Sequence, residues 1–431
     1  MRVCILGGGL SGLAAAWFAE KAGHSVVVLE QEARFGGLVQ GFEVGGNWLD
    51  RFYRHVFPGS DALLSLLEEL NLAGDLAGYD STTGVFAKDR CWPFNGPKDV
   101  LKFGAMSLMG RLRFGLGMTL GLRRDSFEAL EDTPSPDWVR RRMGAQALDN
   151  LLGPMLRAKF GAQGDEVTAA WLFSRLRDRA ESRKQGKREQ LAYLKGSFQR
   201  MLDALVARLS ADKVELRPSV TTRRLARGHK GFLLETSLGD FEADALIAAL
   251  PGQQFAPLLS EELARELPAE QATPLDYAAN LCTVLSLDRP LLDYYWLNIA
   301  DDRLPFTGVI EHTNFISPAE YGGRHLVYLS HYLPRDDALF TAPDKQLLAQ
   351  YWPALEHIRP GFCPDWVDRH WTFRWEWSQP LFPLGYSRAK PPFTTAVSGL
   401  YQLNMSQHYP ESRQMNTCIA LAQRLVAGLS D

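Results

Sequence analysis

Val3, Cys4, Ile5 and Leu6 follow Arg2 as an unbroken apolar run, the pattern of a short strand buried on both faces. Residues 13–21 continue as an Ala-rich helix. The segment Ser25–Leu29 returns as a second buried strand that ends on Glu30. Leucines at helical spacing up to Leu70 predict another helix, capped by Ser60 or Asp61, with Glu68 and Glu69 facing out. From Val214 the period shifts to strands. Residues 220–225 and 231–236 flank a turn containing Gly228, and Gly239 and Asp240 turn into a strand over 241–250 that closes at Pro251. Residues 281–287 and 325–332, rich in β-branched and aromatic side chains, read as strands of a different sheet. A helix from about residue 416 to 429 ends the pattern.

The first strand meets the first helix at Gly7, Gly9 and Gly12, a G-x-G-x-x-G with Leu10 and Ser11 inside it. Each glycine has a separate reason. Gly7 permits the tight turn, Gly9 lets backbone approach a pyrophosphate, and Gly12 lets helix and strand pack closely. The helix N-terminus offers free N–H groups and a positive dipole end to a diphosphate. Glu30, followed by Gln31, stands where a carboxylate accepts hydrogen bonds from a ribose hydroxyl and repels a 2′-phosphate. Strand, helix, strand and acid together predict a dinucleotide site.

Arg34, Phe35, Gly36, Gly37 and Leu38 follow directly, with Asn47, Trp48, Leu49 and Asp50 after a second glycine pair. With Glu30, these residues make E-x(3)-R-x-G-G. Here the chain resembles the flavin-dependent amine oxidase superfamily, which includes protoporphyrinogen oxidases and phytoene desaturases. The resemblance implies FAD as cofactor, with Gly36 and Gly37 against its diphosphate and flavin and Arg34 neutralising phosphate charge. It implies an α/β fold: a Rossmann-like, glutathione-reductase-like FAD-binding domain, discontinuous in sequence, with an α+β substrate-binding domain. The expected segments are 1–88, 206–275 and 373–431 for the FAD domain. The substrate domain takes 89–205, mostly helical, and 276–372, mostly sheet.

Other site residues follow from the same resemblance. Val220 matches a residue whose backbone meets the adenine edge. Ser398, Gly399, Leu400 and Tyr401 resemble the family's G-L-Y strand, but Met405 stands where an Asp normally holds the ribityl chain. Asn404, Ser406 or Gln407 could supply a neutral hydrogen bond instead. The helix that follows is expected to point its N-terminus at the flavin pyrimidine. Arg374 and Trp375 resemble a motif leading back to the flavin, with Gln379 replacing a small residue. Lys159 lies in a run that resembles a substrate-domain loop returning towards the flavin, where some amine oxidases hold a lysine. The rarity of buried lysine favours a surface position for it. His55, in the cluster Asp50–His55, is a candidate site residue or a satisfied structural histidine. Tyr294, Tyr295, Trp296, His312, Tyr328, His331 and Tyr332 are candidates for a cavity wall, although strand aromatics are more often core.

Composition narrows the partners. A net charge of −3 gives no reason to expect nucleic acid. Five scattered cysteines without a C-x-x-C pair argue against a disulfide framework or a zinc site. No apolar run reaches the ~18 residues needed to span a bilayer, and a chain opening on a strand reads as cytoplasmic. Residues 99–124 mix Leu, Met and Phe with Lys102, Arg111, Arg113, Arg123 and Arg124, with no acid between Asp99 and Asp125. Such a stretch suits peripheral contact with a membrane or a substrate-cavity wall whose arginines reach to water. Its glycines favour the wall. The mixed charges of residues 175–189 read as a solvated helix and loop.

The expected function is an FAD-dependent oxidoreductase that removes a hydride from a small organic substrate, which is an amine or is porphyrinogen-like or isoprenoid-like. No second dinucleotide fingerprint is present, so electrons would leave to dioxygen, a quinone or another acceptor. One alternative is a non-redox flavoenzyme similar to UDP-galactopyranose mutase. Another is an FAD-binding protein without catalysis.

Overall fold

The computed structural model describes residues 1–429 except 183–188, 213, 269–270, 272–274 and 412. Part of the charged run expected over 175–189 therefore lies outside the described residues. Arg2–Leu6 is the middle strand of a five-stranded sheet. Ala245–Ala248 and Leu400–Gln402 lie on one side of it, Ser25–Leu29 and Glu215–Arg217 on the other, and every pairing is parallel. Parallel strands must be covered on both faces, which explains their near-continuous apolar sequence. Helix Leu10–Lys21 covers one face together with Met415–Ala427, packing Leu13, Ala14, Ala15 and Trp17 against Ile419 and Ala422. Thr222–Gly228, Gly231–Thr236 and Gly239–Ala243 form an antiparallel meander. Its Leu225, Phe232 and Leu234 cover Cys4, Leu6, Val27 and Leu29 on the opposite face.

Two strand expectations differ from the structure. The run 241–250 is two strands, Gly239–Ala243 and Ala245–Ala248, broken at Asp244. Asp244 accepts a hydrogen bond from the Arg2 N–H at 2.6 Å and donates its own N–H to the Arg2 carbonyl, so the chain leaves the meander there and enters the parallel sheet. Gly228 ends a strand; Gly231, at φ +103°, takes the strained position beyond the turn.

The second body is built on a seven-stranded sheet in the order Val367–Pro380, Tyr277–Leu287, His325–Leu333, Gly308–Glu311, Trp296–Ile299, Thr83–Ala87, Arg90–Pro93. Helix Asp344–Ile358 closes one face over Leu281, Leu285, Leu297 and Leu329. The other face packs Cys282, Val284 and Tyr328 against Phe52 and Leu49 of the first body. Helices between Pro97 and Glu181 gather around Phe103, Trp138, Leu151 and Phe173. The expected boundaries at 88, 205 and 372 differ from these sheets. Strand Thr83–Ala87 already belongs to the seven-stranded sheet, Val367–Pro380 still does, and helix Gln199–Ala211 packs Met201, Leu202 and Leu205 against Leu10–Lys21.

Helix Leu108–Arg124 runs unbroken through 17 residues despite its glycines. The glycines serve packing: a Cβ on Gly117 would lie 2.2 Å from the Arg142 carbonyl, and Gly121 faces Trp138. Close approach to helix Ser135–Arg142 offsets their weak helix propensity.

Candidate active site

A cavity of about 700 Å³ opens between the carboxyl edge of the parallel sheet and the seven-stranded sheet. Its walls come from both bodies because the chain crosses between them several times. Gly7, Gly9, Leu10, Ser11, Glu30, Gln31, Gly36, Gly37, Leu38, Val220, Asn404 and Met405 line it. Sequence elements far apart, from residues 7 to 405, therefore meet on one surface.

The local geometry fits a dinucleotide such as FAD. A Cβ built on Gly9 would meet nothing within 4 Å, so that backbone faces open space. Gly36 and Gly37 take φ +121° and +53°, and the Gly36 N–H donates to the Gly8 carbonyl at 2.8 Å, which lays the second glycine pair beside the first. Glu30 is buried and receives the Gly8 N–H at 2.6 Å and the Glu32 N–H at 2.8 Å. Burial pushes its carboxyl upward, and the Glu32 and Gly8 N–H groups oppose that shift. Each carboxylate oxygen keeps a lone pair free for a hydroxyl donor. Arg54 lines the same cavity, donating to the Leu38 carbonyl while its buried Nε has no protein partner. Gln414 and Met415 bring the N-terminal end of helix Met415–Ala427 to the cavity.

Some expected site residues lie elsewhere. Arg34 is exposed, its guanidinium 4.8 Å from the Trp48 ring, and it is Arg54 that reaches the cavity near the glycine turns, through its contact with Leu38. Gly12 lies beneath the surface, where a Cβ would sit 1.9 Å from the Gly7 carbonyl. Ser406 is buried and donates to Asn404, whose N–H donates to Gln407 at 2.9 Å, so this loop fixes Asn404 and leaves Met405 facing the cavity. Arg374 is not at the cavity. It donates to the Phe340 and Ala342 carbonyls and to Asp344 at 2.9, 2.8 and 2.9 Å, tying down the 340–344 turn.

His55 and Lys159 do line the cavity. His55 stands edge-on to Phe57 and Trp296, with Nδ1 3.3 Å from the Tyr295 hydroxyl. Burial first, and then Arg179, push its pKa down to about 3, so it is a neutral wall residue. Lys159 corrects the surface expectation: its ammonium lies 4.7 Å from the Tyr332 ring centroid. Burial pulls its pKa down to about 8, against the opposing effect of Tyr332.

Arg175 and Arg179 also contradict the solvated-helix expectation. On helix Ala169–Glu181, Trp171, Leu172, Arg175, Leu176 and Arg179 all face the cavity. Their spacing of i, i+1, i+4, i+5 and i+8 marks one helix face, a signal readable in the sequence. Arg175 is held below the usual arginine range by burial and by Arg179 beside it. Arg179 pairs with buried Glu189 at 3.3 Å. Arg413, which no sequence motif marks, donates to Ser378 and, at 2.9 Å, to the Tyr332 hydroxyl. Burial alone would raise the Tyr332 pKa, but Arg413 and Lys159 outweigh it and bring the phenol down to about 8. Of the aromatic candidates, Trp296 and Tyr332 line the cavity; Tyr295, His312, Tyr328 and His331 are buried packing residues. The remaining wall has an apolar part, with Phe94, Phe114, Met118, Leu151, Met155 and Leu172, and a polar part that includes Thr83, Asn280, Asn298, Thr307 and Gln379.

A family described as flavin containing amine oxidoreductase matches residues 10–425. A Mycobacterium tuberculosis protein named as a flavin-containing monoamine oxidase is 27% identical over 261 residues, 58% of this chain; the chain spans 56% of that relative's length. The coproporphyrinogen III oxidase of M. tuberculosis is 26% identical over 434 residues, 92% of each chain. Among solved structures, a protein provisionally named protoporphyrinogen oxidase from Exiguobacterium sp. 255-15 superposes with a TM-score of 0.81 at 16% identity, covering 99% of this chain and 98% of that one. Reduced UDP-galactopyranose mutase gives 0.78 at 14% identity over 100% and 95%. The two structures agree with this chain in fold, a mixed α/β architecture.

Proposed function

The chain belongs to the flavin containing amine oxidoreductase family, and we propose that it is an FAD-dependent oxidoreductase acting on an apolar substrate that carries anionic groups. The parallel sheet with its glycine turns is then the Rossmann-like half, and the seven-stranded sheet with the helices over 97–181 is the substrate half. The observation that carries the reading is the charge of the cavity wall. Lys159, Arg175, Arg179 and Arg413 stand on it with Arg54, whereas its carboxylates are Glu30 and Glu32 beside the glycine turns. A cationic amine would enter this field against several like charges, each opposing it by on the order of a few kcal/mol near 4 Å. A carboxylate or phosphate would relieve their mutual repulsion instead. The wall from Phe94 to Leu172 then takes the apolar body.

FAD bound against Gly9, Gly36 and Gly37 supplies a two-electron acceptor for a hydride taken from a substrate C–H bond. The accompanying proton needs a base near neutral pH. Tyr332 is that group: Arg413 and Lys159 stabilise its phenolate, and Tyr53 adjoins it. Lys159 and Arg175 orient the anionic group. Dioxygen or a quinone serves as the final acceptor. A nucleotide sugar would also match the cations and the polar Thr83, Asn298 and Thr307, as in the mutase reading, but it would leave the apolar part around Phe94, Phe114 and Leu172 without a partner.

Anaerobic addition of substrates to the flavin-loaded protein tests this. Bleaching of the flavin bands by an apolar polycyclic or isoprenoid carboxylate, and not by an alkylamine, is expected. Bleaching by the amine alone would overturn the charge argument. Isomerisation of a nucleotide sugar by dithionite-reduced protein, with no donor bleaching it, would replace the oxidoreductase reading with the mutase one.

A further inference from the structure

Among the described residues, the exposed large apolar side chains are unevenly placed. Leu101, Leu108, Met109, Leu112 and Leu116 are exposed by 48%, 63%, 73%, 49% and 62%; outside this segment only Met1, Leu238 and Leu384 are comparable. Four of the five lie on helix Leu108–Arg124. At 3.6 residues per turn, Leu108, Met109, Leu112 and Leu116 fall within an arc of about 100°. The opposite side of the helix is the ordinary packed one, where Phe114, Gly117 and Gly121 are buried. The helix therefore has two apolar faces, one in the protein and one in solvent.

Cations frame the outer face. Exposed Lys98 and Lys102 stand at its start, Arg113 at its side, and exposed Arg123 and Arg124 at its end. Arg111 is used internally: it donates to the Leu101 and Met106 carbonyls at 2.7 and 2.8 Å and so fixes helix Pro97–Lys102, with Leu101, beside the longer helix. Asp125 is engaged by Arg142 and, at 2.8 Å, by Trp138, so it does not neutralise the outer arginines. No described helix is long and apolar enough to cross a membrane.

We propose that the Leu101–Leu116 face docks peripherally on an anionic lipid surface, its leucines and methionine entering the acyl boundary and its Lys and Arg meeting the headgroups. A second copy of the chain fits this face less well. Paired in parallel, two such helices would set Arg123 and Arg124 against themselves; paired antiparallel, they would set them against Lys98 and Lys102. Only a partner of opposite charge satisfies both ends. Because Phe114 and Met118 of the same helix line the cavity, one helix would separate the lipid from the substrate site.

The test is co-sedimentation of the purified, flavin-loaded protein with phosphatidylglycerol vesicles, compared with phosphatidylcholine vesicles. Binding to the anionic vesicles that weakens with salt is expected. The double variant Leu112→Glu/Leu116→Glu should bind on the order of a hundredfold more weakly, since two half-exposed leucines no longer enter the boundary. Leu238→Glu, at an equally exposed leucine away from this face, should bind like the parent. Absence of binding to phosphatidylglycerol, or undiminished binding by the double variant, would overturn the proposal. So would a solution dimer that the double variant dissolves, which would assign the face to a second copy. The readout needs no turnover, so its failure leaves the oxidoreductase reading untouched.

Discussion

Replacing Lys159 by methionine isolates one of the two cations that act on Tyr332. The ammonium lies 4.7 Å from the ring centroid, and a methionine of similar length keeps the packing. At an effective dielectric of about 20, a unit charge at that distance is worth roughly 3.5 kcal/mol, about 2.6 pKa units. Water admitted to the cavity about halves this, leaving roughly 1.3 units. Tyr332 should then titrate upward from about 8, because the remaining cation, Arg413, no longer offsets burial as fully. Tyrosinate absorbance during a pH titration measures this directly, and Tyr332→Phe identifies the transition by deleting it. A parent protein with no tyrosine titrating near 8, or a Lys159→Met midpoint within a few tenths of the parent, would refute the electrostatic argument. It would also remove the reason to assign the substrate proton to Tyr332.

Other expectations follow from the same geometry. Gly9→Val adds a side chain into space that no protein atom occupies, so the purified protein should lose its flavin absorbance while its thermal transition matches that of the flavin-free parent. With substrate in hand, kcat should rise as pH passes through about 8, where Tyr332 becomes phenolate. KM should rise over the same range as Lys159 loses its charge; a flat profile would count against both roles. Arg374→Ala frees the 340–344 turn from three hydrogen bonds and should cost about 2–3 kcal/mol in denaturant unfolding. It should leave the rate of flavin reduction unaltered, in contrast with any variant of the cavity cations.

The cofactor end of the site was legible because its constraints are local. Gly7, Gly9 and Gly12 answer to a single turn and its helix, so their spacing carries the geometry. The substrate end was not legible, because its residues meet only through tertiary packing. Arg175 and Arg179 belong to one helix, Lys159 to another, and Arg413 to the approach of the last one. In sequence, Arg175 and Arg179 stand among acids and read as solvated, Lys159 reads as a surface lysine, and Arg413 carries no signal of its own. What the linear pattern does contain is the i, i+4, i+8 series Trp171, Arg175 and Arg179, an aromatic continuing into cations on one face. Arg34 failed for the converse reason. The motif position is right, but a guanidinium beside Trp48 satisfies itself on that ring, and Arg54 takes the cavity instead. The glycines of helix Leu108–Arg124 misled in a similar way. Propensity counts them as weak points, whereas Gly117 is where a neighbouring helix touches.

A site that gathers more cations than protein counter-charges should be costly in the empty protein, and that cost is measurable. Burial, Arg179 and Arg413 all lower the pKa of Arg175, with Asp178 and Tyr53 opposing them. Replacing Arg175 with methionine removes a desolvated like charge and keeps an unbranched aliphatic side chain on the cavity face that also carries Leu172 and Leu176. The flavin-loaded protein should therefore become more stable without substrate, by about 1 kcal/mol, or roughly 1–2 °C in a chain of this size. An anionic substrate should stabilise the parent more than the variant, because binding supplies the missing counter-charge only where the cation remains. The two effects together separate a functional cation from a structural one. An arginine that held the fold together would lower the melting temperature when replaced, and that outcome would sink the claim that Arg175 is there for a ligand.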